Sequence, residues 1–81
     1  MSPPTQDPQR LKRRRIEAGL NQGELAAAAG IHPSHMSWLE RGMRGASPRV
    51  LKRLAEALDC EIADLMPPPP EAETGSTAGA A

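Results

Sequence analysis

Between Asp7 and Met66, apolar residues recur at helical spacing, no segment alternates polar and apolar with the period of a strand, and β-branched residues are scarce. The pattern predicts an all-α chain of five short helices. Asp7 followed by Pro8 opens helix 1, because an aspartate caps free N–H groups and proline has no N–H to leave unpaired at the first helical position. That helix runs to about Ala18, stops at Gly19, and turns Leu11 and Ile16 inward. Asn21 and Glu24 form a capping-box pair for helix 2, Gln22 to Ala29, with Leu25, Ala26 and Ala29 inward and Gly30 as terminator. His32 and Pro33 begin helix 3, which places Met36 and Leu39 on one face and ends at Arg41 before Gly42. Ser47-Pro48 repeats the cap-then-proline signal for helix 4, to about Leu58, with a stripe of Val50, Leu51, Leu54, Ala55 and Leu58. A last short helix, Glu61 to Met66, carries Ile62 and Leu65 inward and is stopped by Pro67.

The two ends of the 81-residue chain lack this pattern. Residues 1–6 are read as a disordered N-terminal arm, 7–66 as the folding domain, and 67–81 as a disordered Pro/Ala/Gly-rich tail. Roughly 60 residues suffice for one small domain, with an aliphatic core, since Trp38 is the only aromatic residue. The single cysteine, Cys60, rules out an intrachain disulfide. No apolar run approaches the ~20 residues of a membrane span, and the opening residues have neither the basic nor the apolar region of a signal peptide. The expectation is a cytoplasmic protein.

Net charge is zero, but its distribution is uneven. Gln9 to Arg53 holds all ten Lys and Arg residues against Glu17, Glu24 and Glu40, a net +7, while Leu54 to Ala81 carries six acids and no base. Such an imbalance suits a polyanion-facing surface on one half, or simply a solvated helix face. The stretch Gln22 to Gly42 carries more information. Two short helices joined by Gly30-Ile31-His32 are too tightly linked for an ordinary antiparallel hairpin. Ala26 allows a close crossing, and Ile31, Met36 and Leu39 plug the second helix onto the first. This is the packing logic of a helix-turn-helix formed by helices 2 and 3.

The chain resembles the lambda-repressor/Cro-like helix-turn-helix domains, the XRE family. The matching stretches are Arg15–Gln22 (RIEAGLNQ), Glu24–Ala26 (ELA), Gly30-Ile31, Leu39–Gly42 (LERG), Ser47-Pro48 and Leu54–Leu58 (LAEAL), within Gln9 to Met66. The resemblance implies a sequence-specific, double-stranded DNA-binding transcriptional regulator, a repressor or autoregulator, with helix 3 in the major groove. Pro33, Ser34, Ser37 and Trp38 would reach base edges. Asn21, Gln22, His32, His35 and Arg44 would contact the DNA backbone. Arg15 and Glu40 match a structural ion pair linking helix 1 to the end of helix 3. Dimer contact would fall on Ile62, Leu65 and Met66, beside Asp59, Glu61 and Asp64. A weak homodimer on a palindromic operator, associated with the nucleoid, is the implied assembly.

Cys60 falls where the family has an apolar residue, so the resemblance implies a buried, inert thiol. Two residues depart from the family pattern. Pro33 offers no hydrogen bond to a base, and Trp38 stands where a polar base reader is common; it would press on the DNA or cover the seam between helices 3 and 4. The His32/His35 pair has no third ligand in reach, so no metal is expected, and no cofactor. Arg10, Arg13 and Arg14 are read as a solvated face able to flank phosphate. There is no glycine-rich phosphate loop and no nucleophile beside a base, so an enzyme is not expected. The alternative function is an antitoxin-like or adaptor protein whose Pro67 to Pro70 segment engages a protein partner.

Overall fold

The structure, a computed structural model, describes residues 5–68. Four α-helices follow one another: α1 Pro8–Glu17, α2 Gln22–Ala29, α3 Pro33–Arg41 and α4 Pro48–Ala57, with a 3-10 turn at Ile62–Leu65. The caps work as their chemistry dictates. Asp7 accepts from the N–H groups of Gln9 and Arg10, and Ser47 Oγ accepts from Val50 N–H. Asn21 and Glu24 exchange reciprocal hydrogen bonds of 2.7 and 2.9 Å. Gly30 adopts φ 71°, and Ile31 N–H then returns to Ala26 O, which turns the chain sharply between α2 and α3. The end of α4 has no glycine, and Asp59 takes the left-handed conformation there at φ 53°, a role that aspartate tolerates better than most residues.

Leu11, Leu25, Ala26, Ala29, Met36, Leu39, Ala46, Leu51, Leu54, Ala55, Leu58 and Leu65 make one aliphatic core. α2 packs on both α3 and α4, and α1 closes the bundle against α3 and the 3-10 turn. Among the described residues, no helix is long and apolar enough to cross a membrane.

The architecture differs from the sequence expectation in four places. The fifth helix is only a 3-10 turn: six residues lie between Cys60 and Pro67, too few to propagate an α-helix, and the residue before a proline is pushed to extended backbone, as Met66 is at ψ 155°. Ile16 points outward, 58% exposed, because five residues from Leu11 carry it about 140° around a helix turning about 100° per residue. Ile62 is likewise at the surface, while Leu65 is fully buried. Gln6, assigned to the arm, is 1% exposed and belongs to the fold. The reading of residues 1–4 as arm and 69–81 as tail lies outside the described residues.

Candidate nucleic-acid interface

α3 divides cleanly into two faces. Met36, Leu39 and Glu40 are buried. Pro33, Ser34, Trp38 and Arg41 are exposed and Ser37 is half-buried; these five fall within about 140° of arc at ~100° per residue. The fold therefore buries one side of α3 and leaves the other largely open to solvent, with Ser37 half-buried. All four expected base-contacting residues lie on this free side. Arg41 lies there too and was missed by the sequence reading, although its position four residues beyond Ser37 was sufficient to place it.

The start of α3 is fixed by His32, whose Nδ1 accepts from Ser34 N–H at 3.1 Å. That hydrogen bond uses the Nδ1 lone pair and leaves Nε2 outside the cap. His32 thus serves the helix cap with one nitrogen and keeps the other for solvent. His35 is half-buried. Among the described residues no three His, Cys, Asp or Glu side chains cluster as metal ligands.

The far end of α3 is tied to α1 and α2. Arg15 meets Glu40 through both carboxylate oxygens, Nε to Oε2 at 2.5 Å and Nη2 to Oε1 at 3.1 Å. The side chains are 12% and 2% exposed. Arg15 also donates to Leu20 O, and Gln22 Nε2 donates to Glu40 Oε1 at 3.2 Å. Gln22, expected on the DNA backbone, thus also braces the buried pair. Asn21 beside it is occupied in its capping box.

Beyond Gly42 the chain forms a loop leading to α4. Trp38 is 37% exposed, and the Arg44 guanidinium lies over its ring, 4.6 Å from the centroid. Trp38, Met43 and Arg44 line one shallow hollow of about 250 Å³. The indole is part-exposed and also carries Arg44.

The basic half of the sequence does not form one uniform positive face. Arg14 pairs with Asp64 at 3.5 Å, Arg13 with Glu17 at 3.4 Å and Arg10 with Asp7 at 3.8 Å, and Arg10 also donates to Met66 O. Arg14 thus offsets one acid of the C-terminal turn, while Arg13 and Arg10 pair with acids of α1 and its cap. Cys60, half-buried rather than buried, sits beside this cluster. Desolvation pushes its thiol pKa up, Arg14 opposes this, and Asp64, Asp59 and Glu61 add to it, which favours the unreactive thiol. Leu65, expected at a dimer contact, is wholly committed to the core; Ile62 and the half-buried Met66 are the apolar groups left near the surface.

Residues 9–66 match the family described as a helix-turn-helix domain. The chain belongs to the XRE-like helix-turn-helix family. It is similar to the uncharacterized HTH-type transcriptional regulator y4dJ of Sinorhizobium fredii, 38% identical over 64 residues that span 79% of this chain and 83% of the relative. The restriction-modification controller protein C.AhdI from Aeromonas hydrophila superposes with a TM-score of 0.70 at 39% identity, covering 73% of this chain and 89% of that one. SinR, the master regulator for biofilm formation, solved in complex with DNA, superposes at 0.68 and 32% identity over 72% of this chain and 97% of its own; SinR is a Bacillus subtilis protein. In XRE-type terms, α2 and α3 are the helix-turn-helix pair.

Proposed function

We propose that this XRE-type protein is a sequence-specific, double-stranded DNA-binding transcriptional regulator, a repressor or autoregulator, that sets α3 in the major groove. The observation that carries the reading is the open face of α3, an ordered stripe of Pro33, Ser34, Ser37, Trp38 and Arg41 left out of the core, with Arg44 stacked on Trp38 at its edge. The likeness to SinR, solved with DNA, and to the controller C.AhdI supports it. Asn21, Gln22, His32, His35 and Arg44 are proposed to meet the DNA backbone around that stripe. Serine hydroxyls reach bases singly, Arg41 is the one side chain of the stripe able to donate twice to a guanine, and apolar contact of Pro33 or Trp38 with thymine methyl groups supplements them. The protein acts in the cytoplasm, on the nucleoid, needs no cofactor and performs no chemistry of its own. The deciding experiment is selection of bound duplexes from a random-sequence library: a recovered motif is expected, and no enrichment over many rounds overturns sequence-specific binding.

Binding is expected to weaken steeply with salt. Each phosphate contact by a cation contributes roughly −0.9 to the slope of log K against log salt. Arg44→Ala should flatten the slope by about one such contact, while Gln22→Ala, which removes no charge, leaves it unchanged. A wild-type slope in Arg44→Ala removes Arg44 from the interface.

One short helix specifies few base pairs, so a single copy cannot find a unique site among genomic competitors. Two copies on a palindrome, with half-sites about one DNA turn apart, supply the missing discrimination. With Leu65 buried, only Ile62 and Met66 remain as apolar contacts in the expected dimer region, among Asp59, Glu61 and Asp64. We expect monomers in dilute solution and a two-to-one complex on a selected palindromic duplex by analytical ultracentrifugation. A strict one-to-one complex under excess protein overturns the dimer.

A further inference from the structure

Gln6 makes three hydrogen bonds to the backbone of the far half of the chain. Its Nε2 donates to Leu39 O at 3.0 Å and to Arg44 O at 2.7 Å, and its Oε1 accepts from Ala46 N–H at 2.7 Å. Both amide protons and the amide oxygen are therefore used, and no other side chain of this length offers two donors and an acceptor on one planar group. The next residue is held as well, since Asp7 N–H donates to Leu65 O at 2.7 Å. The bent entry to α1 is thus held between the 3-10 turn and the α3–α4 loop.

We propose that Gln6 is a positioning residue for DNA binding: it sets the path of the α3–α4 loop and thereby aims Arg44 at the DNA backbone. Arg44 is fixed at two points. Gln6 holds its main-chain carbonyl, and Trp38 carries its guanidinium. The same amide also takes Leu39 O in the last turn of α3, so the loop is referenced directly to the reading helix. An arginine held in this way loses less side-chain freedom when it meets phosphate than one on an unpinned loop. A purely structural Gln6 would affect stability alone; a positioning Gln6 also governs what Arg44 contributes to binding. This inference rests on the proposed DNA-binding reading.

The test compares wild type, Gln6→Met, Arg44→Ala and the double variant, all in the full chain. Methionine fills nearly the same volume and removes all three hydrogen bonds. Two quantities are read below the melting temperature of every variant: the salt slope on a duplex selected from the random library, and quenching of Trp38 fluorescence by acrylamide in the free protein. Gln6→Met should flatten the salt slope by up to the ~0.9 that Arg44→Ala removes, and the double variant should match Arg44→Ala alone, the non-additive result of a shared pathway. Acrylamide should reach Trp38 more readily in Gln6→Met and in Arg44→Ala. A Gln6→Met protein that melts earlier but keeps the wild-type slope and quenching overturns the proposal, as does additivity in the double variant. If Gln6→Met does not fold, Gln6→Asn, whose amide is one methylene too short to span the three groups, is read in the same way. Should the wild-type protein bind no duplex at all, the DNA-binding reading fails first, and the quenching comparison still decides whether Gln6 holds Arg44 over Trp38.

Discussion

Glu40→Ala should cost about 3–5 kcal/mol of folding stability, the range for removing one partner of a buried pair. The carboxylate is almost fully enclosed and receives three hydrogen bonds, two from Arg15 and one from Gln22. Its loss leaves the Arg15 guanidinium with only Leu20 O among its present acceptors, in a site where water has little access. A domain of roughly 60 residues has a total stability of about 3–9 kcal/mol, so this one truncation should leave much of the population unfolded at room temperature. The cost belongs to the stranded charge more than to the pair. Replacing both partners by apolar residues, Arg15→Met with Glu40→Leu, should therefore recover most of the loss, since buried pairs exchanged whole for well-packed side chains are often neutral. Urea unfolding of the three variants measures both effects. A Glu40→Ala midpoint equal to wild type would show that water reaches Arg15 freely and that the pair contributes little.

Signals that act over a few residues were readable directly. Asp7-Pro8, His32-Pro33, Ser47-Pro48 and the Asn21/Glu24 box each specify a helix start through groups two or three positions apart, and all four starts lie where the sequence places them. The side chains that meet across the fold were harder. Gln6 bonds to backbone groups 33 to 40 residues away, and any residue type presents such groups, so nothing in the sequence around Leu39 or Ala46 announces a glutamine. Ile16 lies outward because angle, not apolar character, sets the buried face: the inward positions of α1 are Leu11 and, one turn on, Arg15, whose charge is accommodated by Glu40. The pairing of Arg14 with Asp64 joins the basic and acidic halves in space, which no linear charge count reveals. Trp38 and Arg44 were each singled out, but their stacking depends on the loop between them, and that loop depends on Gln6.

Ser34→Glu is expected to move folding and DNA binding in opposite directions. Ser34 is exposed at the second position of α3, and its N–H is held by His32 Nδ1. A carboxylate there lies in the first turn of a helix, where negative charge typically stabilises by about 0.3–1 kcal/mol; the melting temperature should hold or rise. On DNA the same carboxylate would enter the groove between phosphates, and like charges brought together at an interface cost several kcal/mol. With each ~1.4 kcal/mol worth tenfold, affinity for a selected duplex should fall by about a hundredfold or more. Net charge alone would also lower affinity, so the comparison needs a matched substitution. Gln9→Glu supplies it: Gln9 is exposed at the second position of α1, likewise after a proline, with its N–H held by Asp7. Both variants add one negative charge near a helix start, and only one of them lies on the proposed reading face. A large loss for Ser34→Glu beside a small loss for Gln9→Glu, with both proteins folded by circular dichroism, places α3 in the groove. Equal losses would mean that affinity follows overall charge and that α3 is not the reader.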